Sequence, residues 1–221
     1  MKNSNQEPEW LIAYRQKNLS IATSKPLKKS QYFDVKKLDV FIDNSKIEGR
    51  IKIPFELEKF GIRILTWKQA LKERPSEIKF LLEYEEKPKN QYEAFINAKF
   101  NTGFVLIIKK NSLFDNLIQH KIEFEGNPAI KNIIIVEENV ENLKILEHLN
   151  GNLKYMNETI SIQQNSKVTC CRIFNLNETA IVNQQTMLER DARLQNANAF
   201  MNGNFVNARI VNSLNGPGTN V

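Results

Sequence analysis

Asn165-Ser166-Lys167-Val168, Asp191-Ala192-Arg193-Leu194 and Gly218-Thr219-Asn220-Val221 share one pattern: a turn residue, a small residue, a polar residue, then an apolar one. Their starts lie 26 and 27 residues apart, and a looser copy, Asn139-Val140-Glu141-Asn142-Leu143, begins 26 residues before the first. Self-similarity at such a fixed interval marks a solenoid, whose units bury their apolar faces only by stacking. The segments between the marks are short and β-branched: Thr159-Ile160-Ser161-Ile162, Val168 to Phe174, Ala180-Ile181-Val182 and Arg209-Ile210-Val211. Asn and Gly separate them, and both accept the left-handed turn conformation. No window of 155–221 sustains a helical period. A coil of this length holds about two ordinary strands and their turns at roughly 3.3 Å per residue. The expected fold is therefore a flattened β-helix with a meander sandwich as the competing topology, truncated at Val221, where another coil should begin.

The preceding half reads differently. Glu7 and Glu9 around Pro8 suit the start of a helix over 7–24, with Trp10, Leu11, Ile12, Tyr14 and Leu19 as its apolar side. Val40-Phe41-Ile42 and Ile51-Lys52-Ile53-Pro54 predict small strands within 32–65. Thr66 with Gln69 forms a capping box for a helix over Trp67–Glu73, Ser76 opens another to Tyr84, and a third runs from Asn90 to about Asn101. Phe104 to Ile108 is the first fully apolar strand. The chain thus divides into a helical and mixed cap, residues 1–103, and the first coils of a β-helix, residues 104–221, an α+β arrangement. A cap is needed because the first coil would otherwise expose strand edges and an open core.

Composition excludes several functions. The 221-residue chain carries a net charge of +6; residues 121–221 hold 9 Lys and Arg against 10 Asp and Glu, so the excess, +7, lies on residues 1–120. Those bases alternate with acids and lack interleaved aromatics, which predicts solvated charge, not a nucleic-acid surface. The N-terminus has no apolar run and the longest apolar stretch is too short for a bilayer, so neither a signal peptide nor a membrane span is expected. Two adjacent cysteines cannot staple distant segments, which fits a reducing, cytoplasmic compartment.

Several strings carry a family resemblance. Glu7-Pro8-Glu9-Trp10-Leu11 with Tyr14-Arg15, Tyr92 to Phe100 leading through Thr102-Gly103 into Phe104-Val105-Leu106-Ile107, Ile133 to Val140, and Leu188 to Leu194 with Asn212 to Gly216 resemble, in order, the SUF-system iron–sulfur cluster assembly proteins of the SufB/SufD family. The resemblance implies a right-handed parallel β-helix and a non-enzymatic scaffold. Implied partners are a SufC-type ABC ATPase and a second SufB/SufD-like subunit, with a homodimer as the other assembly. Family members are usually much longer, and the residues implicated in cluster building and ATPase docking lie largely beyond the portion matched here. Met187 stands where SufB-like members carry a cysteine tied to sulfur transfer, which tilts the resemblance toward a SufD-like member or a divergent archaeal-type paralogue.

Candidate chemistry is sparse. Cys170 and Cys171 are the only soft-ligand pair, but neighbours on a strand face opposite ways, so both cannot bind one iron. A buried small hydrophobe plus a surface thiol is the simpler expectation. His120 and His148 lack Cys or His at ligand spacing. Glu189-Arg190-Asp191 reads as a turn entry with a local ion pair, not as a catalytic carboxylate pair. No phosphate loop or nucleophile elbow occurs, so no catalytic residue and no firmly bound cofactor are expected, and ATP chemistry would belong to a partner. A carbohydrate-active β-helix, lyase or hydrolase, is the rival function; it needs Asp, Lys and Arg clustered across coils, whereas the aligned positions are Asn, Asp and Gly at turns. A structural fibre or adhesin module is a further rival, less suited to a chain without an export signal.

Overall fold

The computed structural model describes residues 7–24, 48–52, 55–84, 87–88, 91–177, 179–204 and 206–221; the anticipated strand at Val40-Phe41-Ile42 lies outside them. From Phe104 onward the chain winds through two parallel sheets. The first sheet holds β4 (Leu117–Asn127), β6 (Leu143–Gly151), β8 (Lys167–Leu176) and β10 (Arg193–Met201). The second holds β3 (Phe104–Ile108), β5 (Ala129–Val136), β7 (Tyr155–Ile162), β9 (Ala180–Leu188) and β11 (Val206–Leu214). Successive strands of a sheet pair in parallel, Tyr155 with Ile181 and Arg193 with Lys167, for example, so one coil is 26 residues. The architecture is the expected parallel β-solenoid, of about four turns.

The turn marks are its spine. Asn111, Asn139, Asn165 and Asp191 all have φ between 57° and 59°, and Gly218 follows at 74°. Asn tolerates this left-handed region because its short side chain can hydrogen-bond locally. Here it bonds to the next coil instead: Asn165 Nδ2 donates to Asn139 Oδ1 at 3.0 Å, and Asn139 Nδ2 donates to Asn111 Oδ1 at 3.2 Å. Ser166, fully buried in the same turn, accepts from the Val140 amide and donates to the Glu137 carbonyl. Asn111 is thus one more copy of the turn, 28 residues ahead of Asn139.

The two sheets differ in what covers them. β6 alternates buried and partly exposed positions, because its outer face meets solvent. β5 and β7 are buried at all eight positions, because helices lie on the outer face of the second sheet. Those helices are α1 (Glu9–Ser24), α2 (Trp67–Glu73), α3 (Pro75–Tyr84) and α4 (Gln91–Lys99). The capping box of α2 is present, with Thr66 and Gln69 bonded reciprocally. Ile78, Leu81 and Leu82 of α3 pack with Ile133, Ile135 and Met187, while Tyr92, Phe95 and Ile96 of α4 pack with Ala129, Tyr155 and Ile181.

The end of the solenoid is closed by other means. β1 (Glu48–Lys52) pairs antiparallel with β4, and β2 (Ile62–Thr66) pairs antiparallel with β3, ending both sheets with a strand of opposite sense. Leu57, in a 3₁₀ helix over Phe55–Phe60, joins the interior core with Ile62. Edge coverage therefore comes from two short strands and one apolar plug, and the helices flank the solenoid. That division of labour was not legible in the sequence, where the whole segment reads as one cap.

Candidate functional site

Strand alternation decides which side chains enter the solenoid. On the first sheet His120, Glu147, Arg172 and Asn198 occupy one register column, and on the second Asn132, Glu158 and Gln184 occupy another. The two columns face each other inside the coil. Arg172 Nε lies 2.5 Å from Glu147 Oε2, its NH2 lies 3.1 Å from Glu158 Oε1, and His120 Nε2 lies 2.9 Å from Glu147 Oε1. Gln184 donates through Nε2 to Glu158 Oε1 at 3.4 Å, and its Oε1 accepts from Asn196 and Asn198. The side chains of His120, Glu147, Arg172 and Glu158 are no more than 3 % exposed.

This is a buried ionic column threading three coils. Removing a guanidinium and two carboxylates from water costs several kcal/mol per ion, which only close pairing offsets. Burial pushes the Glu158 carboxyl up to about 7, with Arg172 pulling against it and Glu147 adding repulsion. Burial also works against Glu147, but Arg172 and His120 overcome it and hold that carboxyl down to about 2. Arg172 is firmly cationic despite its burial, held by the acids around it. The column therefore holds one carboxyl kept ionised by Arg172 and His120 and one whose proton burial holds more tightly than usual. Enclosed inside the coil, the column ties the two sheets together through ion pairs across neighbouring strands.

The candidate residues read from sequence separate. Cys170 points inward beside Arg172, and burial pushes its thiol pKa up, so it is a poor thiolate. Cys171 points outward, as alternation requires. Among the described residues no three His, Cys, Asp or Glu side chains are placed to hold a metal ion, and Cys170 and Cys171 lie on opposite faces of β8. His148 sits on the outer face of β6, 3.1 Å from Gln119, while His120 on the adjacent strand faces the interior. Arg190 Nε lies 3.6 Å from Asp191 Oδ2 within a turn, matching the ion-pair expectation for Glu189-Arg190-Asp191. Met187 is buried beneath α3.

Sequence reading missed Glu147, Arg172 and Glu158. The usable signal was parity: Arg172 shares its side of β8 with Val168, Cys170 and Phe174, all core residues. A charge at such a position must be paired across coils.

Two of the family-like strings meet in space. Arg15 of α1 binds Glu7 through Nε and NH2, lies 3.8 Å from the Phe100 ring centroid, and donates through NH1 to the Ala98 and Phe100 carbonyls at 3.0 Å. It thereby satisfies the C-terminal carbonyls of α4. The chain then turns through Gly103, at φ 146°, where a Cβ would lie 1.9 Å from the Lys131 carbonyl oxygen. Only glycine fits there, and Trp67 Nε1 donates to that same carbonyl at 2.7 Å. No protein-family model matches the chain, and no curated protein matches it in sequence.

Proposed function

We propose that this chain is a non-enzymatic scaffold subunit of iron–sulfur cluster assembly, of SufB/SufD type and closer to SufD, working in the cytoplasm. The observation that supports the reading is the junction just described. The opening string and the string around Phe100, which resemble the same family independently, are joined by Arg15 and feed through Gly103 into β3, the first parallel strand of the solenoid.

In this role the work of the solenoid is to present surfaces. The cluster is cargo, the ATP chemistry belongs to an ABC-type ATPase, and a second β-helix subunit completes the assembly. The test is co-purification of the tagged protein, expressed from its full reading frame in its source cell, with bound proteins identified by mass. Recovery of an ABC-type ATPase together with a second β-helix protein supports the scaffold. Absence of both overturns it, as does depolymerisation of acidic polysaccharides by the purified protein.

A further inference from the structure

Two register pairs of the interior column meet across the coil. Arg172 and Asn198 are partners on β8 and β10, and Glu158 and Gln184 are partners on β7 and β9. The amide contacts that join them are long for N–H···O bonds. Asn198 Nδ2 reaches Gln184 Oε1 at 3.4 Å, and Gln184 Nε2 reaches Glu158 Oε1 at 3.4 Å. All four residues line a cavity of about 10 Å³. Apolar side chains make up the rest of its wall, among them Val182 and the stacked rings of Phe174 and Phe200.

The guanidinium of Arg172 leaves one of its nitrogens unused. The group is planar, with Nε and NH2 on one side and NH1 on the other. Nε and NH2 face Glu147 and Glu158, which stand on the two strands before β8. NH1 is buried and has no hydrogen-bond partner among the described residues. A buried charged donor without an acceptor is costly, so an acceptor is expected there. Asn198, the register partner one coil further on, lies inward beside Phe174 and Phe200, where an apolar residue would otherwise be the simpler choice. A cavity of this size has room for one water molecule. Buried waters occupy polar cavities and make about three hydrogen bonds, whereas voids lined only by apolar groups stay dry.

We infer that this cavity is a binding site for a single ordered water, which accepts from Arg172 NH1 and donates to the Asn198 side-chain oxygen and to Glu158. The water completes the hydrogen bonding of the ionic column and gives Asn198 its reason to be polar. This inference is independent of the scaffold role. High-resolution crystal structures of the full chain and of Asn198→Leu test it. The expected result for the wild type is one density peak about 2.7–3.2 Å from both Arg172 NH1 and Asn198 Oδ1. Asn198→Leu keeps a side chain of similar size and removes one acceptor, so the peak is expected to vanish or lose at least half its occupancy. In solution, oxygen-17 relaxation dispersion is expected to count one long-lived water fewer in the variant than in the wild type. If Asn198→Leu does not fold, the wild-type density decides alone. A wild-type cavity without density, an Arg172 NH1 bonded directly to a protein acceptor, or a peak undiminished in Asn198→Leu overturns the inference.

Discussion

Arg172 is the residue on which the interior depends. It holds Glu147 at 2.5 Å and Glu158 at 3.1 Å from opposite sheets, so its loss would leave Glu158 buried without a cation and Glu147 with His120 alone. Removing one partner of a buried pair costs about 3–5 kcal/mol, and Arg172→Met is expected to lose at least that at pH 8. Glu158 gives the pH signature. Its folded pKa, about 7, lies above the ordinary 4.5, so between those values the folded state holds a proton that the unfolded chain releases. Stability contributed by this group is therefore full below about pH 4.5, falls as pH rises, and is gone above 7. Glu147 acts oppositely: its contribution is present above 4.5 and lost as pH falls toward 2. Glu158→Gln, which keeps an acceptor for Arg172, should flatten the fall and gain about 1–3 kcal/mol over wild type between pH 5 and 8. Urea unfolding at the two pH values measures this; parallel pH dependences for both proteins would refute the assignment of Glu158.

At the scale of elements, legibility followed exposure. β3 announced itself as five apolar residues because both its faces are buried, and the capped start of α2 was visible because a capping box is local chemistry. β4 and β6 were missed. Their outward positions carry Gln119, Lys121, Glu123 and Lys144, and their inward ones include His120 and Glu147, so only alternate residues look like strand. The turns were the most readable elements, since a left-handed position restricts the residue whatever packs around it. They also separate two effects. Asn165 supplies both a φ of 59° and a bond to Asn139. Asn165→Gly keeps the backbone freedom and loses the ladder, an exposed hydrogen bond worth about 0.5–1 kcal/mol. Asn165→Ala loses both and adds about 1–2 kcal/mol for a left-handed alanine. Chemical denaturation of both variants is expected to rank them Gly above Ala; equal losses would mean that the ladder alone sustains the turn.

For the whole molecule, the two ends of the solenoid are treated differently. At one end β1 and β2 close the sheets with antiparallel strands. At the other, β10 and β11 are the outer ones among the described strands of their sheets, and positions that are buried in earlier coils are exposed there. Ile210 is 43 % and Leu214 55 % exposed, whereas Leu188, the register partner of Leu214 one coil earlier, is fully buried. Stacked Phe174 and Phe200 show the interior continuing toward that face. An uncovered edge with apolar residues beside it is a template for pairing with another chain. A polypeptide of these 221 residues is therefore expected to self-associate end to end, with sedimentation velocity showing mass rising over the micromolar range. Lysine on the edge opposes such pairing by charge repulsion, so Ile210→Lys with Leu214→Lys should restore the monomer without changing the far-UV circular dichroism. A wild-type chain that stays monomeric across that range would mean that the exposed rim of β11, despite its apolar side chains, is not sticky.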